Sequence, residues 1–89
     1  MANYTEIESL DTLIRAVQEY QVELATNKQI LHNAANVCDA AMGSDAIAQK
    51  HIARLNKTLE ELQKTAQIAE DVANALIEDR QRAIDVLED

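Results

Sequence analysis

The stretch LHNAANVCDAAMGSDAIAQKHIARL, residues 31–55, contains at its centre Gly43, the only glycine of the chain. No proline occurs among the 89 residues, which leaves room for very few turns. A glycine that follows a helix is a common left-handed cap, and either Ser44 or Asp45 can cap a helix that begins after it. The sequence therefore predicts one turn, at residues 43–44.

Apolar residues recur on both sides of this turn at steps of three and four, which is the helical period. Before the turn the repeat comprises Ile7, Leu10, Ile14, Val17, Leu24, Leu31, Ala35, Cys38 and Met42. After the turn it comprises Ala48, Ile52, Leu55, Leu59, Leu62, Ala66, Ala69, Ala73, Leu76, Ala83 and Leu87. Thr5-Glu6-Ile7-Glu8 matches a capping box at the start. The pattern predicts helix one at about 5–42 and helix two at about 45–88.

The two repeats match each other in the way that an antiparallel hairpin requires. Facing residues in such a hairpin have position numbers with a constant sum, and this sum is 86 for Leu10–Leu76, Val17–Ala69, Leu24–Leu62 and Leu31–Leu55. Half of 86 is 43, the position of the glycine. The sequence therefore predicts an all-α, antiparallel two-helix hairpin that forms a single domain over residues 1–89. Residues 82–89 are expected to overhang its open end.

Helix one carries more apolar residues than a seam with helix two can bury. A strict seam uses two apolar positions per heptad, yet further apolar columns run beside the seam on helix one and on the later part of helix two. Ordinary surface apolarity is the alternative explanation, but alignment in columns favours a surface that pairs with another helical protein into a four-helix bundle. The residues expected to bind this partner are Leu13, Tyr20, Ile30, Val37, Ile68, Val72, Ile77 and Ile84.

The chain is acidic, with 16 Asp and Glu against 8 Lys and Arg and a net charge of −8 spread over both halves of the sequence. This charge repels phosphate groups, so we expect no binding to nucleic acid or to anionic membranes. No apolar segment approaches the length of a membrane span, and MANYTEIESL at the N-terminus does not resemble a signal peptide. One column of helix two has no apolar member and is expected to face water: Lys50, Lys57, Lys64, Asp71, Glu78 and Asp85.

Side chains suited to catalysis or metal binding are sparse. The sequence has no glycine-rich phosphate loop, no Cys-x-x-Cys and no His-Glu-x-x-His. His32 and His51 are expected to lie too far apart to share a metal ion with Cys38, which falls on the seam as a small apolar residue. We therefore expect no enzyme activity, no metal site and no cofactor.

The layout resembles the WXG superfamily, the helical hairpins of bacterial type VII secretion. The resemblance lies in the length, the central glycine, SLDTLIRAVQEY at residues 9–20 and GSDAIAQKHIARLNKTLEEL at residues 43–62. The family's Trp-x-Gly falls on Ala41-Met42-Gly43, of which only the glycine agrees. The family's tail motif, an aromatic residue followed four positions later by Asp or Glu, has its nearest echo in Ile84 and Glu88.

These departures are typical of divergent WXG-like accessory proteins that accompany LXG toxins. The resemblance implies a small targeting partner or chaperone that binds the helical N-terminal export domain of a larger effector, or a WXG-like paralogue, and presents it for secretion. It also implies a cytoplasmic location, with export alongside the partner. Two alternatives stay open: a homodimeric four-helix bundle that serves as an adaptor or assembly protein, and a helical immunity protein that uses its acidic surface.

Overall fold

The computed structural model describes residues 3–42 and 45–88. Over these residues the chain forms two helices and no strand: α1 is Tyr4–Met42 and α2 is Ala46–Glu88. The predicted all-α class and the two long helices are confirmed. The predicted turn at Gly43 and Ser44 lies outside the described residues.

The start of α1 differs from the predicted capping box. The side-chain oxygen of Asn3 accepts a hydrogen bond of 2.9 Å from the Glu6 backbone N–H, and the Asn3 carbonyl accepts one from the Ile7 N–H. Asn3 is therefore the N-cap, and Thr5, predicted to be the cap, already lies inside the helix. Asparagine is as effective as serine or threonine at this position because its short side chain reaches the same backbone donors.

The cap of α2 is one of the two residues that the sequence offered. The Asp45 carboxylate accepts a hydrogen bond of 2.8 Å from the Ile47 N–H, and the Asp45 carbonyl accepts one of 3.0 Å from the Gln49 N–H. A carboxylate here also interacts favourably with the partial positive charge at the helix N-terminus. These bonds explain why α2 begins at Ala46.

The two helices divide into two compact units. The terminal unit comprises the described residues of Met1–Val22 and Gln67–Asp89, and the central unit is Glu23–Ala66. Each unit pairs a part of α1 with a part of α2 along the predicted seam. The terminal unit buries Ile14, Ala69, Ala73 and Ala83, and the central unit buries Leu24, Ala48 and Leu59.

The seam follows the apolar repeat closely, since every described member of the repeat is buried or half-buried. Where the repeat is interrupted, the seam positions hold Gln21, Lys28 and Arg80, and these polar side chains are half-buried as well. Four of the seven fully buried apolar residues are alanines. The helices therefore share a thin core, which contributes less hydrophobic stabilisation than a core of larger side chains.

A polar contact between the two helices is found in each unit. In the central unit the Cys38 Sγ lies 3.9 Å from the Ala48 carbonyl oxygen, and these position numbers sum to the predicted 86. In the terminal unit Arg80 forms an ion pair with Asp11. Side chains on a helix lean toward its N-terminus, so the long Arg80 side chain reaches back along α2 to a carboxylate that does not face its own Cα. Both contacts agree with an antiparallel pair.

The predicted overhang of residues 82–89 is wrong at its beginning. Ala83 is only 8% exposed, and Ile84 and Leu87 are half-buried. The Asp11–Arg80 ion pair holds α2 beside α1 one turn earlier, so the packing continues past residue 82. Constant-sum counting missed this contact because it treats each residue as level with its own Cα and ignores the lean of the side chains.

Within the described residues, no helical segment combines the length and the apolar character that crossing a membrane requires.

Candidate partner-binding surface

Seven of the eight residues predicted to bind a partner are exposed to solvent. Their exposed fractions lie between 44% and 66%, which is high for large apolar side chains: Leu13, Tyr20, Ile30, Val37, Ile68, Val72 and Ile77. The seam between α1 and α2 therefore leaves these side chains uncovered. A partner is not needed to explain one exposed apolar residue, but a set of seven on an 89-residue chain calls for an explanation.

Ile84 is the exception among the eight. It is half-buried and directly follows the buried seam residue Ala83. Its side chain therefore offers less surface to a partner than the other seven. The role of Ile84 in binding a partner stays a prediction.

The position of each exposed residue relative to the seam assigns it to a face of the helix pair. Stepping one residue back along a helix turns the side chain by about 100° to one side of the seam, and stepping forward turns it to the other side. In an antiparallel pair, residues that immediately precede seam residues lie on the same face in both helices. We call this the pre-seam face.

The pre-seam face carries six of the seven exposed residues. Leu13, Tyr20, Ile30, Val37, Ile68 and Val72 each stand one position before a seam residue. Ile77 stands one position after Leu76 and so lies on the opposite face. Within each unit the structure thus places the predicted residues on the pre-seam face, with the exception of Ile77 in the terminal unit.

Within the terminal unit four of these side chains lie on the pre-seam face. Leu13 and Val72 lie nearly level across the seam, as do Tyr20 and Ile68. The position numbers of each pair sum to a value close to 86, the sum that facing residues of the hairpin share. We call these four residues the terminal patch. In the central unit the pre-seam face carries Ile30 and Val37.

Four further exposed apolar residues were not among those predicted to bind a partner: Tyr4, Val22, Ile47 and Val86. Ile47 and Val86 each precede a seam residue, Ala48 and Leu87, and therefore extend the pre-seam face of their own units. The one-before-the-seam rule would have found both. Tyr4 and Val22, also exposed, lie off this face.

The fold concentrates the negative charge in one unit. The sequence of the terminal unit holds 11 of the 16 acidic residues and three of the eight basic ones, so its net charge is −8. The central unit holds five of each and is neutral. Along the sequence the acidic residues lie in both halves of the chain. The hairpin brings the two ends together, so most of these residues fall in the same unit.

The basic residues of the terminal unit are largely committed to ion pairs. Arg80 binds Asp11, and Arg82 lies 3.1 Å from Asp79 and 3.8 Å from Glu78. Several carboxylates of the unit, such as Glu19 and Asp71, are exposed. The polar column of α2 is exposed throughout, as predicted, and its sign changes between the units: Lys50, Lys57 and Lys64 in the central unit, Asp71, Glu78 and Asp85 in the terminal unit.

The remaining candidate residues are scattered. His32 and His51 are exposed, and Cys38 is half-buried on the seam. Among the described residues no group of three or more His, Cys, Asp or Glu side chains could hold a metal ion.

The positions that were compared with the family motifs lie at the helix ends. Ala41 is exposed near the end of α1, Met42 is its last residue, and Gly43 lies outside the described residues. The half-buried Ile84 and the exposed Glu88 stand one turn apart at the end of α2.

Comparisons with known proteins add no relative to this picture. No family model, no curated protein and no solved structure matches the chain.

Proposed function

We propose that this protein binds a helical segment of another protein along its pre-seam face and that the pair completes a four-helix bundle. The observation that carries the proposal is the terminal patch, in which four large side chains of one face are 44–63% exposed. A facing helix pair is the usual cover for such a stripe, because apolar side chains of four helices then share one core.

The free energy gained by burying the terminal patch can be compared with the free-energy cost of association. Burying the exposed half of a Leu, Ile or Val side chain contributes about 1 kcal/mol, or about 4 kcal/mol for the terminal patch. Association costs about 4–15 kcal/mol in lost translational and rotational freedom. The patch alone therefore cannot hold a partner tightly. The partner must also contact further residues, such as Val86 on the pre-seam face of the same unit.

In its specific form, the proposal is that the partner is the helical N-terminal export domain of an LXG-type effector of type VII secretion. The support is the resemblance to WXG-like accessory proteins together with a hairpin whose face is open to a second helix pair. The protein then acts as a targeting partner that keeps the export domain folded and presents it, and it performs no catalysis.

The test is co-purification of the tagged chain with the helical N-terminal domain encoded by an adjoining LXG-type gene. The proposal expects a one-to-one complex that is lost in the variant L13Q/V72Q, since glutamine keeps the helix but cannot join an apolar core. The matched control is Y4Q/I77Q, which changes one exposed apolar residue on each helix of the same unit away from the pre-seam face.

The two variants also separate the possible failures. Loss of the complex in both variants would mean that binding uses a different surface. A complex that survives L13Q/V72Q with unchanged affinity would contradict the proposed role of the pre-seam face. If no complex forms with the effector domain, the proposed targeting role is wrong.

A further inference from the structure

The terminal patch lies in the unit that carries the whole net charge of the protein. The unit has a net charge of −8, whereas the central unit is neutral. On each helix an acidic residue precedes a member of the patch, Glu19 before Tyr20 and Asp71 before Val72. Each therefore lies one further 100° step from the seam, at the outer edge of the pre-seam face. Both carboxylates are exposed. The terminal unit therefore combines an exposed apolar surface with exposed carboxylates beside it.

Ion pairs inside the unit leave this charge largely uncompensated. Two of its three basic residues, Arg80 and Arg82, are engaged with Asp11, Glu78 and Asp79. A second copy of the same unit would bring another net charge of −8 against the first, and like charges across an interface oppose association. The unit therefore disfavours its own copy as the occupant of the patch.

We infer that the occupant of the terminal patch is a cationic amphipathic helix of another protein, with an apolar stripe bordered by lysine or arginine. This inference rests on the proposed function and specifies the chemistry of the partner. The apolar stripe covers Leu13, Tyr20, Ile68 and Val72, and the basic borders lie against the carboxylates on either side. Charge complementarity of this kind raises the association rate and discriminates against acidic helices.

The experiment uses the full chain and three synthetic helical peptides of three heptads each. The peptides share one apolar stripe and differ only in the border positions, which hold lysine, glutamine or glutamate; all three residues are good helix formers. Binding is measured by fluorescence titration and the association rate by stopped flow. The expected order of affinity is lysine, then glutamine, then glutamate, and only the lysine peptide should weaken strongly between about 50 mM and about 500 mM salt.

Variants of the chain test the carboxylates directly. E19Q/D71N should lower affinity for the lysine peptide about fivefold, since exposed charge pairs contribute little individually but act together. The matched control D39N/E60Q removes one Asp and one Glu charge from exposed positions of the central unit and should change the affinity less than about twofold. Circular dichroism verifies that each variant keeps its helicity.

The outcomes separate the inference from the proposed function. Equal binding of the three peptides, abolished by L13Q/V72Q, would overturn the cationic partner while leaving a helix-binding face in place. A stable homodimer that is abolished by L13Q/V72Q and binds none of the peptides would identify a second copy as the occupant and overturn the inference. Peptide binding that survives L13Q/V72Q unchanged would overturn both the inference and the proposed face.

Discussion

Leu13 and Leu24 have the same side chain in opposite environments. Leu24 is 5% exposed on the seam of the central unit, whereas Leu13 is 51% exposed on the pre-seam face of the terminal unit. Leu24→Ala should lower the free energy of unfolding by about 2–4 kcal/mol, because it leaves a cavity in a thin core. Leu13→Ala should lower it by no more than about 1 kcal/mol. Urea unfolding at low protein concentration measures both, and equal losses would contradict the assignment of seam and face.

The N-cap of α1 offers a second test at this scale. Asn3→Ala removes the acceptor of the Glu6 N–H and should cost about 1 kcal/mol of stability. Thr5→Ala is the control, because Thr5 lies within the helix and its loss should change stability by less than about 0.5 kcal/mol. Urea unfolding measures the loss of stability in both variants. A larger loss for Thr5→Ala than for Asn3→Ala would support the capping box that the sequence predicted at Thr5 and contradict Asn3 as the N-cap.

At the scale of elements, the agreement between sequence and structure follows from periodicity. The three-four repeat selects the side chains of the seam, so the burial of Ile14 and Leu59 could be read directly from spacing. Ala83 also belongs to the repeat, but the constant sum places it opposite residue 3, before the predicted start of helix one, so its burial was not expected. The sequence also did not predict Asn3 rather than Thr5 as the N-cap. Asn3 with Glu6 is as good a pair of capping residues as Thr5 with Glu8, so spacing alone does not choose between them.

The antiparallel pairing of α1 and α2 predicts a specific cross-link. The Cys38 Sγ lies 3.9 Å from the Ala48 carbonyl oxygen, and Ala48 is fully buried on the facing helix. Ala48→Cys should therefore form an intramolecular disulfide with Cys38 under mild oxidation, since facing seam residues approach within the range that a disulfide spans. The product is a monomer that migrates faster on a non-reducing gel.

The control for this cross-link is Ala53→Cys, at an exposed position of the same helix. It should give only intermolecular dimers, because position 53 lies away from the seam. Equal intramolecular cross-linking at positions 48 and 53 would show that the helices do not hold one register.

At the scale of the whole molecule, the surface was only partly predictable from sequence. The apolar columns identified seven residues that are indeed exposed, and the side of the seam on which each residue lies sets Ile77 apart from Val72. The charge asymmetry required the fold, since residues 6–19 and residues 70–88 become neighbours only in the terminal unit. A count of charges along the sequence cannot show this asymmetry.

The account depends on apolar side chains that the hairpin cannot cover by itself, and thermal unfolding of the isolated chain tests this most directly. Circular dichroism melts over a wide range of protein concentration, with sedimentation velocity at each concentration, should show either a low-melting monomer or a melting temperature that rises with self-association. In the second case L13Q/V72Q should remove the concentration dependence. A chain that stays monomeric throughout and melts cooperatively at a high temperature, unchanged by L13Q/V72Q, would contradict the account.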